Sequence, residues 1–284
     1  MKKAIIILGF MGLIFAQETN LASITAKLDQ GTKLYQNNKP DSALVPFQEA
    51  ANGFEQMLQS VLTPEDEAYT KYFLATAKYY IARIQKDASQ FEETSKLFNE
   101  SAGAFKNLDI VGEEYVRSKY MKALCSFRLY QLANTERAQI KKLDPAIGDF
   151  NDFVNDEDVQ KHADDFQDLI DNAQYFLGYC QYQLAYLQIF DMGQLSNAQM
   201  NIEKAIESFQ SAKKSSDERV SLAASLMEAN CHYLLTRLFF RVSDDDWDKY
   251  KLSKKDKLSV SEDEINESLN LLDKMISASG TQKD

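Results

Sequence analysis

The chain is poor in glycine, proline and histidine, with ten, four and two residues of these types among 284. A protein built from many short strands needs a turn at about every tenth residue, and turns draw on glycine and proline. Their scarcity therefore argues against an all-β fold. With 44% hydrophobic and 26% charged residues, the composition is that of a globular chain rather than a disordered one.

Sequence motifs of catalytic and cofactor sites are missing as well. The chain has no GxSxG, no P-loop motif and no GxGxxG. Cys231 and His232 are adjacent on a predicted helix and point about 100° apart, so they do not bind one metal ion together. We predict no catalytic residue, no metal site, no cofactor and no enzymatic activity. The alternative is a hydrolase that uses acids near His162 or Asp244, which would need two carboxylates in one cleft.

The three cysteines, Cys125, Cys180 and Cys231, form no CxxC pair. Each lies within an apolar helical pattern, where a free thiol behaves as a small hydrophobic side chain. We predict buried free thiols, and one disulfide between two of the three is the alternative.

Positive charge is also in short supply. The chain has 32 lysines and arginines against 43 acids, and its formal net charge is −11. Such a chain repels phosphate groups, so neither nucleic acid nor an anionic membrane surface is an expected partner.

The N-terminus has the layout of a secretory signal peptide. Lys2 and Lys3 precede the apolar run 4–15, and Ala16 offers a small residue before the cleavage point. The run is shorter than the roughly 20 residues of a transmembrane helix. We therefore predict a cleaved signal over residues 1–16, no other transmembrane segment, and a periplasmic or secreted protein. An uncleaved anchor is the alternative.

The rest of the chain has the pattern of consecutive helices. Apolar residues recur at spacings of three and four. A serine or threonine followed three residues later by an acid marks four helix starts, at Thr63, Ser89, Ser215 and Ser261. The pattern predicts helices near 20–37, 42–60, 64–86, 89–108, 112–135, 163–190, 195–213, 216–242 and 262–278. Short connections between long helices make neighbours antiparallel.

One stretch interrupts this pattern. Residues 144–168 hold nine acids against one lysine and include Pro145. We predict an acidic loop at about 136–162, between two blocks of helix hairpins at 18–135 and 163–279.

The segment 31–50 carries the most specific pattern in the chain. Gly31 is followed by Ala43, Phe47 and Ala50, which places a small residue on one helix and an alanine–aromatic–alanine stripe on the next. Small residues let two helices approach closely, and the aromatic ring fills the remaining space. The segment resembles the tetratricopeptide repeat, whose helix pairs pack in this way.

Later helices repeat the pattern in altered form. Gly178 is followed on the next predicted helix by Ala205, Phe209 and Ala212. The aromatic positions do not keep the family's period of about 34 residues, so the resemblance consists of one close match and several lengthened copies. A helical bundle without repeats is the alternative.

The resemblance implies an all-α fold in which antiparallel helix hairpins stack into a right-handed superhelical array, a solenoid. It implies that residues 17–284 form one helical-repeat domain. It also implies that the first helix of each pair lines a concave groove.

A stripe of tyrosines marks the predicted helix 163–190. Tyrosine combines a large apolar ring with a polar tip, which suits a contact surface. We predict that this stripe and two tyrosines of the third helix bind a partner or ligand: Tyr175, Tyr179, Tyr182, Tyr186, Tyr72 and Tyr79. Ordinary packing between helices is the alternative.

These features predict a non-catalytic scaffold that binds a protein or peptide partner of the cell envelope in its concave groove. The alternative function is capture of a small ligand for an envelope transport system, which would need an enclosed apolar pocket.

Overall fold

The computed structural model describes residues 21–243, 246–247 and 257–280. This part of the chain is all-α and contains no β-strand, which confirms the all-α part of the predicted fold. Its helices are α1 (21–36), α2 (Pro40–Leu58), α3 (Pro64–Gln85), α4 (Ala88–Asn107), α5 (Glu113–Gln131), α6 (Glu136–Val154), α7 (Glu157–Lys161), α8 (Ala163–Leu187), α9 (Leu195–Ala212), α10 (Glu218–Arg241) and α11 (Lys257–Gly280).

The chain divides into two compact units, Met1–Leu129 and Tyr130–Asp284. Within each unit, helices that are consecutive in the chain pack against one another. The first unit contains the successive pairs α2 with α3 and α3 with α4. The second contains α8 with α9, α9 with α10 and α10 with α11, and α6 packs against α8.

Contacts between α1 and α2 run in antiparallel register. Gly31, late in α1, faces Phe47, early in α2, whereas Ile24 faces Gly53. A Cβ atom built on Gly31 would lie 2.7 Å from the Phe47 ring, so the backbone of α1 rests directly on that ring. Phe47 is fully buried, as are Ala43 and Ala50 one turn to either side.

The same arrangement recurs between α8 and α9. A Cβ atom on Gly178 would lie 2.9 Å from the ring of Phe209, which is fully buried together with Ala205 and Ala212. The side chain of Ser208 also contacts that of Gln181. Moving forward along α8 from Gly178 to Gln181 therefore corresponds to moving backward along α9 from Phe209 to Ser208. These contacts make α8 and α9 an antiparallel pair.

The predicted acidic loop at about 136–162 is wrong, because most of it forms α6 and α7. The Thr135 hydroxyl caps α6 by accepting a hydrogen bond from the Ala138 backbone N–H. Acids and Pro145 suggested a loop, but Pro145 lies on the exposed side of the helix. The opposite side carries a buried apolar stripe whose burial outweighs the backbone bond that proline removes: Leu143, Ala146, Phe150 and Phe153.

Thr63 caps α3 as predicted, and its hydroxyl oxygen accepts a hydrogen bond from the Asp66 N–H at 3.1 Å. Elsewhere the predicted serine caps are wrong. Asp87 caps α4 in place of Ser89, and Asp217 caps α10 in place of Ser215. In both cases a carboxylate within two residues competes, and a negative charge at a helix N-terminus binds the free N–H groups more strongly.

Two predictions fall on parts of the chain that lie outside the described residues. The signal peptide over residues 1–16 is one, and most of the acidic cluster 244–248 is the other. None of the helices that the structure describes combines the length and apolar character needed to cross a membrane.

The close approach of Gly31 to Phe47 can be tested with a matched pair of glycine substitutions. We expect Gly31→Ala to lower the free energy of unfolding by about 1–3 kcal/mol, because the added methyl group has no space beside the ring. Gly103→Ala on α4, where a Cβ meets nothing within 4 Å, should instead raise it by about 0.5–1 kcal/mol. Urea unfolding measures both values, and equal effects of the two variants would contradict this account.

Candidate functional site

A groove follows one face of α8 in the second unit. Helix α8 contacts both α6 and α9, so it forms the floor and its neighbours form the walls. The groove has two connected parts with volumes of about 690 and 390 Å³. We call it the amide groove, because seven side-chain amides line it: Asn151, Asn155, Gln160, Gln167, Gln174, Gln181 and Asn201.

The residues that α8 contributes to this groove fall on one stripe of the helix. They recur every three or four positions, which is the spacing of a single helical face. They are Gln167, Ile170, Asp171, Gln174, Leu177 and Gln181. At 1.5 Å per residue the stripe is about 21 Å long from its first to its last member.

Hydrogen bonds across the α8–α9 contact fix two of the amides. Gln181 is only 4% exposed, and its Oε1 accepts a hydrogen bond from the Ser208 hydroxyl at 3.1 Å. Near the other end of α9, the Asn201 Nδ2 donates to the Gln188 Oε1 at 2.9 Å. Buried polar side chains held in this way have one orientation, so the groove has a preformed polar wall.

Charges along the amide groove nearly cancel. Lys204 and Lys214 contribute two positive charges, and Asp171 and Glu207 contribute two negative ones. Asp171 is buried, and its Oδ1 accepts a hydrogen bond from the Gln167 Nε2 at 2.7 Å. The amide groups, rather than net charge, therefore dominate the chemistry of this surface.

Sequence reasoning missed this groove. Its α8 stripe is turned by roughly 120° from the tyrosine stripe of the same helix. Isolated glutamines on a helix are typical of a solvated face, so the pattern gave no reason to select them. The recurrence of amides at Gln167, Gln174 and Gln181, seven residues apart each time, is the signal that was available.

Three of the four tyrosines in the predicted stripe pack against a buried cluster of the second unit: Tyr175, Tyr179 and Tyr182. The Tyr175 ring centroid lies 5.9 Å from that of Phe209. Tyr186 differs from them, since it is 44% exposed and its ring contacts Phe190 at 4.6 Å. None of the four lines the amide groove.

The two tyrosines predicted on α3 lie in the packing between α3 and α4. Tyr79 is 2% exposed, and its ring meets Phe91 edge-on at 5.8 Å. Tyr72 meets Phe98 in the same way at 6.3 Å, and burial raises the pKa of Tyr72 to about 12. Tyr79 therefore presents almost no surface to a ligand.

Helix α10 carries a histidine and a carboxylate one turn apart, but they belong to different contacts. The His232 Nδ1 lies 2.5 Å from the Glu264 Oε2 of α11. The buried Glu228 instead accepts hydrogen bonds from Gln210 of α9 at 2.9 Å and from Lys213, the residue after α9, at 2.6 Å. Both contacts join neighbouring helices.

The cysteines are free and buried, as predicted. Within residues 21–243, 246–247 and 257–280, no three His, Cys, Asp or Glu side chains come together as a candidate metal site. In the acidic cluster 156–158, Asp156 caps α7 by accepting hydrogen bonds from the N–H groups of Asp158 and Val159. Asp158 forms an ion pair with Lys161 at 3.0 Å.

No protein-family model matches the sequence, and no curated protein matches it.

Alanine substitutions of two tyrosines separate a packing role from an exposed one. Tyr182→Ala should lower the free energy of unfolding by about 2–4 kcal/mol, because its ring packs on the buried cluster. Tyr186→Ala, on the same face of α8 but exposed, should change it by less than about 0.5 kcal/mol. Chemical denaturation measures both free energies. A Tyr182→Ala protein with the same free energy of unfolding as the unsubstituted protein would contradict the packing role.

The pH dependence of stability gives a second test of Tyr182. Burial raises its pKa from 10.0 to about 12. Between these two values the folded protein binds more protons than the unfolded chain, so stability falls as pH rises through this interval. We expect a smaller fall for Tyr182→Phe than for the unsubstituted protein in urea titrations at pH 10 and 12. An identical fall would mean that Tyr182 ionises normally.

Proposed function

We propose that this protein is a non-catalytic scaffold of the tetratricopeptide type, exported to the cell envelope, that binds an extended segment of a protein partner in the amide groove. The observation that carries the proposal is the set of seven side-chain amides along one groove.

Amide side chains are suited to bind a peptide backbone. Each offers two N–H donors and one carbonyl acceptor, whereas a peptide group offers one of each. Five of the seven groove amides already use one group in a hydrogen bond within the protein and keep the rest of their capacity: Asn155, Gln160, Gln167, Gln181 and Asn201. Asn151 and Gln174 have no such side-chain bond to the described residues, so they can pair with either group of a passing strand, whatever side chains that strand carries. A row of amides favours an extended polypeptide over a ligand recognised by its charge.

The dimensions agree with this ligand. An extended strand advances about 3.4 Å per residue, so the 21 Å stripe of α8 matches about six residues. Between the amides, Val154, Ile170 and Leu177 add apolar surface, which is less extensive than the polar surface of the groove. Pockets for small ligands are mostly apolar and enclosed, so this polar lining favours a peptide over the small-ligand alternative.

Two further observations support kinship with tetratricopeptide proteins. The glycine-to-phenylalanine contact occurs in both units, at Gly31 with Phe47 and at Gly178 with Phe209. Within each of the two units, helices that follow one another in the chain pack as neighbours. Location in the envelope rests on the signal-like N-terminal sequence.

A selection from random peptides tests the groove. Twelve-residue peptides selected by phage display on the full chain would be synthesised, and their affinities measured by fluorescence anisotropy. We expect Asn151→Ala/Gln174→Ala to weaken binding by about tenfold or more, because two hydrogen-bonding amides of the groove are lost. Both side chains are half-buried in the groove, and neither forms a hydrogen bond to another described residue that the substitution would remove.

Two controls make the result specific. Gln48→Ala/Gln56→Ala removes two exposed amides from α2 and should leave the affinity unchanged. Peptides N-methylated at alternate residues keep their side chains but lose backbone donors, and they should bind at least about tenfold more weakly. Backbone recognition in this groove would be ruled out if the methylated peptides bound as tightly as the unmethylated ones. It would also be ruled out if the groove variant bound the peptides as tightly as the unsubstituted protein.

A further inference from the structure

An exposed cluster of aromatic and arginine side chains lies at the C-terminal end of α8 and on α10, apart from the amide groove. We call it the aromatic–arginine patch, and it consists of Tyr186, Phe190, Tyr233, Arg237, Phe240 and Arg241. None of these residues lines the amide groove.

Direct contacts join the members of the patch. The Phe190 ring lies 4.6 Å from that of Tyr186, and the Arg241 guanidinium stands over it at 4.4 Å. Arg237 bridges the two helices, because its guanidinium lies 5.1 Å from the Phe190 ring and 5.9 Å from the Tyr233 ring. These contacts join five of the six residues into one cluster, and the sixth, Phe240, lies one turn from Arg237 on the same face of α10.

A π-helical turn presents Phe190 to this surface. Residues Gln188–Met192 widen the end of α8 into a single π turn, which ends at Gly193 with a φ of +64°. The Arg241 Nη1 donates a hydrogen bond to the Ile189 carbonyl of that turn at 3.1 Å. Single π turns inside or at the end of helices occur frequently at functional sites.

The apolar part of the patch continues along α10 with the spacing of a helix contact. Leu226, Tyr233 and Phe240 follow one another at seven-residue intervals and are 42%, 51% and 61% exposed. Residues seven apart lie on one line of a helix, so the stripe is straight and about 21 Å long. Such a seam is complementary to a second helix lying alongside it.

The positive charges of Arg237 and Arg241 favour a partner helix that carries acidic side chains. Among the described residues, no carboxylate forms an ion pair with Arg237 or Arg241, although the chain as a whole has a net charge of −11. Both guanidinium groups instead contact the Phe190 ring, and that of Arg241 also donates a hydrogen bond to a backbone carbonyl. A second copy docked patch to patch would bring arginines together, whereas carboxylates would complement them.

We propose that the aromatic–arginine patch is a second docking surface and that it binds an acidic amphipathic helix of a partner protein. The partner's apolar side chains would pack on Tyr233 and Phe240, and its carboxylates would pair with Arg237 and Arg241. Tyrosine, phenylalanine and arginine are enriched at the centres of protein interfaces for this combination of contacts. The proposal does not depend on the function of the amide groove.

A synthetic helix tests the patch. The probe is a peptide of about three heptads with leucines along one face and glutamates beside them, and its analogue has lysines in place of the glutamates. Titration calorimetry with the full chain at low salt should show binding of the acidic peptide and at least about tenfold weaker binding of the basic one. Similar affinity for both peptides would overturn the proposal.

Matched variants localise the binding. Arg237→Gln/Arg241→Gln should weaken the acidic peptide by about tenfold or more, whereas Arg137→Gln/Arg219→Gln removes the same charge from exposed positions elsewhere and should not. Because Arg241 also holds the π turn, Tyr233→Ser/Phe240→Ser provides an independent loss of binding at exposed positions. An unchanged affinity in either patch variant would overturn the proposal.

Two other occupants are distinguished by separate measurements. Sedimentation would detect a dimer that Tyr233→Ser/Phe240→Ser dissolves, in which case the patch binds a second copy of the chain. Arginine-dependent binding to phosphatidylglycerol vesicles, stronger than binding to the acidic peptide, would assign the patch to a membrane surface. Either outcome would overturn the partner-helix proposal.

Discussion

The close contact of a glycine on one helix with a phenylalanine on the next is the interaction on which the rest of the structure depends. At Gly31 and Gly178 the helix backbone lies against the aromatic ring itself. A larger side chain would force the helix axes apart and leave the flanking alanines without partners. These two contacts hold α1 against α2 and α8 against α9, and α3 packs on α2 and α10 on α9. Within each unit, helices that follow one another in the chain then pack as neighbours.

Helix α8 shows how one element serves several purposes. One face carries Gly178 at the contact with α9, and a second carries tyrosines that pack on the buried cluster. A third face, roughly 120° from the tyrosines, forms the floor of the amide groove. Packing on the other two faces fixes the rotation of the helix and so orients this third face toward the groove. At its C-terminal end the π turn redirects the last aromatic ring, Phe190, toward the arginines of α10.

Packing between helices also explains the burial of the tyrosines that were predicted to bind a partner. Tyr79 and Tyr182 were selected because tyrosine suits a surface that is partly wet, but their rings fill space between helices and burial raises the pKa of both hydroxyls. Tyr186, at the end of the stripe, is 44% exposed, whereas Tyr72, Tyr175, Tyr179 and Tyr182 are half-buried. The aromatic stripe was therefore visible in the sequence, whereas its division into packed and exposed parts depends on which helices cover it.

Local sequence determined the helices, the Thr63 cap, the buried free cysteines and the small-to-aromatic contacts, because helical periodicity, capping and side-chain size act within a few residues or one helix pair. The prediction of a loop over residues 136–154 was wrong, because it gave more weight to the acids and Pro145 than to the apolar residues of that segment. Those residues form one face of α6 that is buried, and α6 packs on α8. Tertiary structure alone decided the amide groove and the aromatic–arginine patch. Their residues come from separate helices, and no local pattern states which faces of those helices meet. Such sites arise where two polar or two aromatic faces remain next to each other after the cores have packed.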